Sequence, residues 1–184
     1  LDNDSYLKTI DPETDSLVSP IRIINGLWNN TNYNFMSGEI CALPFSPYKN
    51  YPFFFYNETN GYFWIDPYKG VAKSLQQKLV VYSASLVLNE KKRRIVVAYR
   101  YTNHSSFYNL DGILQKSFFT HKNKVTPIAT YDGIDIEASR KCFIETYGTE
   151  KYVYCLYDGS VDFNENSQLY IYTWDGKPKG TILL

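Results

Sequence analysis

The sequence predicts an all-β fold made of repeated four-stranded sheets, and two observations support this prediction. The first is the aromatic share: 17% of the 184 residues are aromatic, with 18 Tyr and 11 Phe. Aromatic side chains favour the pleated, half-buried surface of a sheet over a helix. The second is a recurring hairpin, in which an aromatic-rich strand meets an Asp-containing turn and returns as a second strand.

The recurring hairpin has its turns at Asp66, Asp111 and Asp175. The predicted strand pairs around these turns are 62–65 with 71–75, 106–109 with 113–118, and 169–173 with 179–184. Asp-Gly, which follows the strand in the second and third cases, suits a tight hairpin. Gly tolerates positive φ, and Asp can bond its own backbone.

The spacing of the turns predicts β-propeller blades. Asp66 and Asp111 are 45 residues apart, and Asp175 follows after a further 64, so the last unit carries an insertion. A unit of about 40–50 residues with four short strands is typical of a blade. Two more strands are predicted before each hairpin, at 38–43 and 52–56, at 83–88 and 94–99, and at 133–136 and 152–157.

These units predict a partial propeller in one domain, residues 1–184. A partial blade in residues 1–35 would include the strands 6–10 and 16–18, and full blades would occupy approximately 38–76, 80–120 and 128–184. Propellers typically close with 4–8 blades. We therefore expect either a fragment of a longer chain or self-association through open sheet edges. The alternative is a β-sandwich, which also uses many short strands.

Charge and cysteine content narrow the function classes. Lys and Arg number 19 and Asp and Glu also 19, so the basic excess usual for nucleic-acid binding is missing, and no nucleic-acid partner is predicted. No apolar run reaches the about 20 residues of a transmembrane helix. Cys41, Cys142 and Cys155 form no CxxC pair and are predicted to be small buried residues, with a Cys142–Cys155 disulfide as the alternative.

Three segments of the last unit carry a family resemblance. They are TYDGIDI at 130–136, KYVYCLYDG at 151–159 and LYIYTWDGKP at 169–178. They resemble the closing blades of TolB-like six-bladed β-propeller proteins, in particular the subgroup exported by Bacteroides-type bacteria, over residues 38–184. The resemblance implies a propeller, a periplasmic or outer-membrane and cell-surface location, and a binding function. It brings no catalytic motif.

A polar run in the last unit is a candidate calcium site. The candidate ligands are Asp158, Asp162, Asn164 and Asn166. From residue 162 the alternate spacing matches the opening of a calcium loop, where oxygens converge on a hard cation. Ser167 then replaces the expected Gly, and Thr173 stands where a bidentate Glu belongs. The alternative is a polar loop between two strands, and no other cofactor is predicted.

Ligand contacts are predicted at Trp28, Asp132 and Asp135. Trp28 lies in a polar stretch without strand periodicity, which favours an exposed aromatic contact. Asp132 and Asp135, with Glu137, flank a predicted inner strand. Paired carboxylates can hydrolyse glycosidic bonds at a suitable separation, and solvated carboxylates are the alternative.

No catalytic residues are predicted. His104 and His121 lie in polar segments and are expected at the surface, and no G-x-S-x-G motif accompanies them. The basic run 91–94 is predicted to be a solvated hairpin turn that discourages edge pairing.

We therefore expect an exported binding or interaction module for a glycan, peptide or protein ligand. The alternative is a hydrolase or lyase on a carbohydrate-type substrate, with carboxylates at the propeller axis.

Overall fold

The computed structural model describes residues 83–184 except 111–112, 129, 131–133 and 164–166, together with the backbone of six strands before residue 83. The described residues form fourteen β-strands and no helix. The strands are β1 Tyr6–Asp11, β2 Ser16–Arg22, β3 Asn32–Met36, β4 Glu39–Leu43, β5 Phe53–Asn57, β6 Gly61–Ile65, β7 Ala84–Asn89, β8 Arg94–Tyr99, β9 His104–Asn109, β10 Leu114–Phe119, β11 Phe143–Gly148, β12 Tyr152–Tyr157, β13 Gln168–Thr173 and β14 Pro178–Leu183.

The sheets are antiparallel, and their strands follow one another in chain order. Strands β1 and β2 form a two-stranded sheet, while β3–β6, β7–β10 and β11–β14 form three four-stranded sheets. This confirms the predicted all-β class and the repeated four-stranded unit. Among the described residues, no helix has the length and apolar character to span a membrane.

Most of the predicted hairpins are present. Strands β9 and β10 pair with each other, as predicted for the hairpin at Asp111, which itself lies outside the described residues, and β13 and β14 pair around the Asp175 turn. Strands β7 and β8 match the predictions at 83–88 and 94–99, and β1 and β2 match the N-terminal pair. The predicted return strand at 71–75 lies outside the described residues.

The predicted inner strand of the last sheet is wrong. In the segment assigned as 133–136, Ile134 forms only an isolated bridge and a turn follows from residue 136. The first strand of this sheet is instead β11, which pairs with β12. The sheet β3–β6 likewise begins one strand earlier than the predicted strand at 38–43.

The described core lies between the sheets β7–β10 and β11–β14. Side chains on β12 alternate, with Val153, Cys155 and Tyr157 buried and their neighbours half-buried, because successive residues of a strand point to opposite faces. Phe107 of β9 lies 5.6 Å from the Phe118 ring and 6.1 Å from that of Tyr172 in the next sheet.

The cysteines of the last unit are buried and unpaired with each other. Cys142 and Cys155 are free thiols in this core, as the preferred interpretation predicted, while the Cys41 side chain lies outside the described residues. Burial raises the pKa of each thiol to about 12. Both therefore stay protonated and unreactive at neutral pH.

The first strands of the two sheets face each other through a polar contact. The Ser85 hydroxyl of β7 donates to Glu145 Oε1 (2.7 Å), lies 2.8 Å from Thr146 Oγ1, and accepts from the Thr146 N–H at 2.9 Å. Buried hydroxyls need such partners. This contact fixes how β7 and β11 lie against one another.

The turns between strands gather at one end of the two sheets, here called the turn end and formed by 90–93, 149–151 and 174–177. Trp174, which is buried, donates its Nε1–H to the Thr149 carbonyl at 2.8 Å. Lys91 and Glu150 form an exposed ion pair at 2.7 Å. Residues 91–93 are exposed within a turn, as predicted, whereas Arg94, the last residue of the predicted basic run, is half-buried on β8 and lies 3.3 Å from Asp175 Oδ1.

The longer connections gather at the opposite end, here called the loop end and formed by residues 100–103 and by the described residues within 120–142 and 158–167. The Cys142 N–H donates to the Arg100 carbonyl at 2.6 Å, and the Gly159 N–H donates to the Lys141 carbonyl at 2.7 Å. In an antiparallel meander successive connections alternate between the two ends. The long link between the sheets and the β12–β13 loop therefore meet at one end.

Candidate functional site

An open pocket of about 700 Å³ lies at the loop end. Its walls come from three segments: 121–128 after β10, 138–140 before β11, and 157–161 after β12. Ligand pockets in proteins typically measure about 300–1,000 Å³. We call this feature the loop-end pocket.

Backbone hydrogen bonds hold two of these walls together. The Lys141 N–H donates to the Ser160 carbonyl at 2.7 Å, and the Asp158 N–H donates to the Cys142 carbonyl at 3.0 Å. Gly159 has φ +89°, and a Cβ there would lie 2.7 Å from the Tyr157 ring. Only glycine fits this bend without strain.

A buried amide fixes the third wall. Asn103, which is fully buried, donates its Nδ2–H to the Asn123 carbonyl at 3.0 Å and accepts from the Val125 N–H at 2.9 Å. Further along, the Ile128 N–H donates to the Ser139 hydroxyl oxygen at 2.9 Å. The irregular segment 121–128 thus has defined backbone partners and forms a defined pocket wall.

Aromatic rings form the inner side of the pocket. The His121 ring lies 5.3 Å from that of Tyr157, and its Nε2 lies 3.0 Å from the Tyr170 hydroxyl oxygen. Because that hydroxyl donates its proton to Gln168 Oε1, Nε2 of His121 is the donor in this pair. Burial raises the pKa of Tyr157 far above its usual range, so its hydroxyl stays protonated.

The charges on the pocket walls have one sign. Lys122, Lys124 and Arg140 line it, and no Asp or Glu is among the described lining residues. The Lys124 ammonium lies 4.8 Å from the centre of the Phe119 ring, a cation–π distance. Arg140 donates from Nη1 to the Gly159 carbonyl at 2.7 Å while its side chain remains exposed. The described lining residues therefore carry a net positive charge although the chain is neutral overall.

Of the three predicted ligand contacts, only Asp135 is among the described residues. Trp28 and Asp132 lie outside the described residues. Asp135 Oδ1 accepts from the Ala138 N–H at 2.9 Å and so caps the turn before β11, in which Glu137 is exposed. The described carboxylate of this group therefore has a local structural partner.

The predicted calcium ligands are only partly described. Asp158 is buried, and its Oδ1 accepts from both the N–H and the hydroxyl of Ser160. Asp162 is exposed, while Asn164 and Asn166 lie outside the described residues. In the part of the chain that the structure describes, no cluster of three or more His, Cys, Asp or Glu side chains is placed to hold a metal.

The two histidines differ from each other. The surface prediction for His104 is wrong: it is 6% exposed, with Nε2 2.6 Å from the Ser117 hydroxyl oxygen. Burial on a strand that is covered along most of its length lowers its pKa to about 4. His121 is exposed as predicted, and it lines the loop-end pocket.

Sequence reasoning missed the cations of this pocket. The local signal was the run HKNK at 121–124, placed in the longest connection between described strands. Arg140 and Tyr157 carry no comparable signal, since only the fold brings them next to that run.

Comparisons with known proteins give no family. No protein-family profile matches the sequence, and no curated protein is significantly similar to it. Among solved structures, a crystal structure of a eukaryotic initiation factor is similar with a TM-score of 0.33 and 8% identity. The match covers 94% of this chain and 47% of that one, so this chain spans about half the length of that structure.

Proposed function

We propose that this protein is a binding module of the TolB-like β-propeller type, exported to the periplasm or the cell surface, which takes a glycan, peptide or protein ligand at its loop end. The loop-end pocket is the observation that carries the proposal. Binding residues often lie on loops held by a rigid scaffold. Here three such segments are fixed by hydrogen bonds around a space of about 700 Å³.

The arrangement of strands supports the propeller within this proposal. Each four-stranded sheet is a meander in chain order, and the first strands β7 and β11 face each other through Ser85 and Thr146. Strand β3, the first of the preceding sheet, also lies close to β7. First strands that gather together are expected when blades surround an axis, and less so when two sheets stack face to face.

A screen followed by a blocking variant tests the function. Glycan arrays and pull-downs with the full chain should yield a ligand, because the pocket offers polar, aromatic and charged groups. Thr126→Trp places a large ring in the pocket, since Thr126 is exposed and lines it. We expect this variant to weaken binding by at least about tenfold, a change of about 1.4 kcal/mol.

Gln115→Trp is the matched control, since Gln115 is exposed on β10 and does not line the pocket. It should bind like the wild type. A ligand that binds Thr126→Trp as tightly as the wild type, or the absence of any ligand, would overturn the proposal.

A further inference from the structure

We infer that the loop-end pocket takes an acidic oligosaccharide, whose carboxylates are bound by Lys122, Lys124 and Arg140. This inference rests on the binding function proposed above and names the chemistry of the ligand. The starting point is the charge of the walls, where three cationic residues line the space and no described acidic residue does.

Two of the acidic groups close in sequence to these walls have local partners, while Glu137 and Asp162, which adjoin lining residues in sequence, are exposed. Asp135 bonds the Ala138 N–H, and Asp158 bonds Ser160. A fourth cation, Lys141, is buried and donates to the Ile136 carbonyl at 2.6 Å, so it stabilises the turn and does not line the pocket. A concave site with one sign of charge concentrates counter-ions and raises the rate at which oppositely charged ligands associate.

Two of the three cations, Lys124 and Arg140, have protein contacts that restrict them before any ligand arrives. The Phe119 ring limits the positions of the Lys124 ammonium. Arg140 is held at Gly159 by one bond, and a guanidinium has five N–H donors in a planar fork that suits a carboxylate. Restricting these side chains in the free protein lowers the entropy cost of binding.

The rest of the pocket suits a sugar better than a bare anion or an extended peptide. The exposed ring of His121 offers a flat surface, and Asn123 and Thr126 add polar groups, while an inorganic anion would leave most of about 700 Å³ empty. A peptide adding to a strand edge needs free backbone donors. In this wall the N–H groups of Val125 and Ile128 are already bonded to side chains.

Calorimetry on the full chain with matched sugars tests the inference. The probes are a panel of uronic-acid oligosaccharides and the same compounds with their carboxyl groups reduced to alcohols. We expect the uronic-acid oligosaccharide to bind at least about tenfold more tightly than its reduced counterpart. Its affinity should fall as the salt concentration is raised.

Variants that remove positive charges test whether Lys122 and Lys124 cause the preference for the acidic sugar. Lys122→Gln/Lys124→Gln should lower the affinity for the acidic sugar by about tenfold, because each exposed ion pair contributes up to about 1 kcal/mol. Its affinity for the reduced sugar should not change. The matched control, Lys92→Gln/Lys177→Gln, removes two exposed charges from the turn end and should leave both affinities unchanged.

Each remaining outcome overturns the inference in a distinguishable way. Equal affinity for the acidic and reduced sugars, with both lost in Thr126→Trp, would retain the binding function and reject the acidic ligand. An aspartate-rich peptide that binds through Lys122 and Lys124, with no uronic-acid oligosaccharide bound, would assign the pocket to a protein partner. If no probe of either kind binds, the inference is wrong, and the ligand screen alone decides the broader function.

Discussion

His104 is the described residue whose environment differs most from what its sequence neighbours suggest. Its ring lies 4.7 Å from that of Phe119 and 5.6 Å from that of Tyr99, and it is nearly inaccessible to solvent. Burial penalises the imidazolium, and the nearby Lys124 ammonium penalises it further, so the pKa falls from 6.5 to about 4. The residue is therefore neutral in the folded protein at neutral pH.

This shift predicts a loss of stability in mild acid. Above pH 6.5 the ring is neutral in both the folded and the unfolded chain. Between about pH 6.5 and pH 4 the unfolded chain binds a proton at this ring and the folded chain does not. The stabilising contribution is therefore fully present above about pH 6.5 and is lost as the pH falls toward 4. The loss amounts to at most about 3–4 kcal/mol, at about 1.36 kcal/mol per pKa unit.

The test is to measure the free energy of unfolding of the wild type and of His104→Gln by denaturant titration between pH 7.5 and pH 4. The difference between the two pH profiles isolates the contribution of His104. The amide of Gln can still bond Ser117 but cannot titrate, so the variant should lose less stability across this window. Identical pH profiles for the two proteins would contradict the assignment.

The position of His104 also shows why local polarity misled the sequence analysis. The segment NHSS at 103–106 is polar, yet all four residues are buried. Polarity predicts exposure only where one face of a strand meets solvent, and β9 is covered along most of its length. Such covering comes from residues distant in the chain, which a local pattern does not contain.

Among the elements, β11 depends on a close contact with the Trp174 turn. A Cβ built on Gly148, the last residue of β11, would lie 2.7 Å from Trp174 Cζ2 and 2.8 Å from Val87 Cγ2. The Trp174 side chain cannot easily move away from such a Cβ, because it is buried and its Nε1–H donates a hydrogen bond to the Thr149 carbonyl.

We therefore expect Gly148→Ala to destabilise the protein by about 1–3 kcal/mol, the usual cost of overpacking a core. Chemical denaturation gives the free energy of unfolding. Gly180→Ala on β14 is the matched control, since a Cβ there has no atom within 4 Å, and it should change stability by less than about 0.5 kcal/mol. Equal effects of the two substitutions would show that the Trp174 contact is not what limits residue 148.

The elements also show what the sequence could and could not predict. Hairpins such as β13–β14 were predicted correctly because Asp-Gly and the flanking alternation are local signals. Strand β11 was missed because Ile134 and Ile136 alternate as a strand would, while Asp135 in fact caps a turn. Side-chain bonding of Asp to its own backbone competes with strand pairing, and a two-residue alternation is too short to decide between them.

At the scale of the whole molecule, the two ends of the sheets differ. The turn end is occupied by short turns, the Trp174 bond and the Lys91–Glu150 pair. The loop end holds the long connection and the pocket. The sequence could predict the repeated sheets but not this pocket, since its walls join residues 121, 140 and 157 only after the sheets have formed.

The exposed edge strand β14 of the last sheet predicts that the chain self-associates. Among the described strands, β14 pairs with β13 alone and is exposed along its length, with Ile182, Leu183 and the following Leu184 at 48%, 73% and 65% exposure. An apolar, unpaired edge offers backbone groups to another strand. We expect this 184-residue chain to associate with a second copy through β14, seen as concentration-dependent sedimentation.

Leu183→Lys should shift this equilibrium toward the monomer by about tenfold or more, because a charge at the edge must be desolvated when two edges pair. Leu183→Val keeps the edge apolar and should associate like the wild type. A chain that stays monomeric at all concentrations would contradict the prediction, and so would association that Leu183→Lys leaves intact.

Because β14 and the loop-end pocket share no residue, ligand affinity should be the same in Leu183→Lys and the wild type. Self-association and ligand binding can therefore be measured independently.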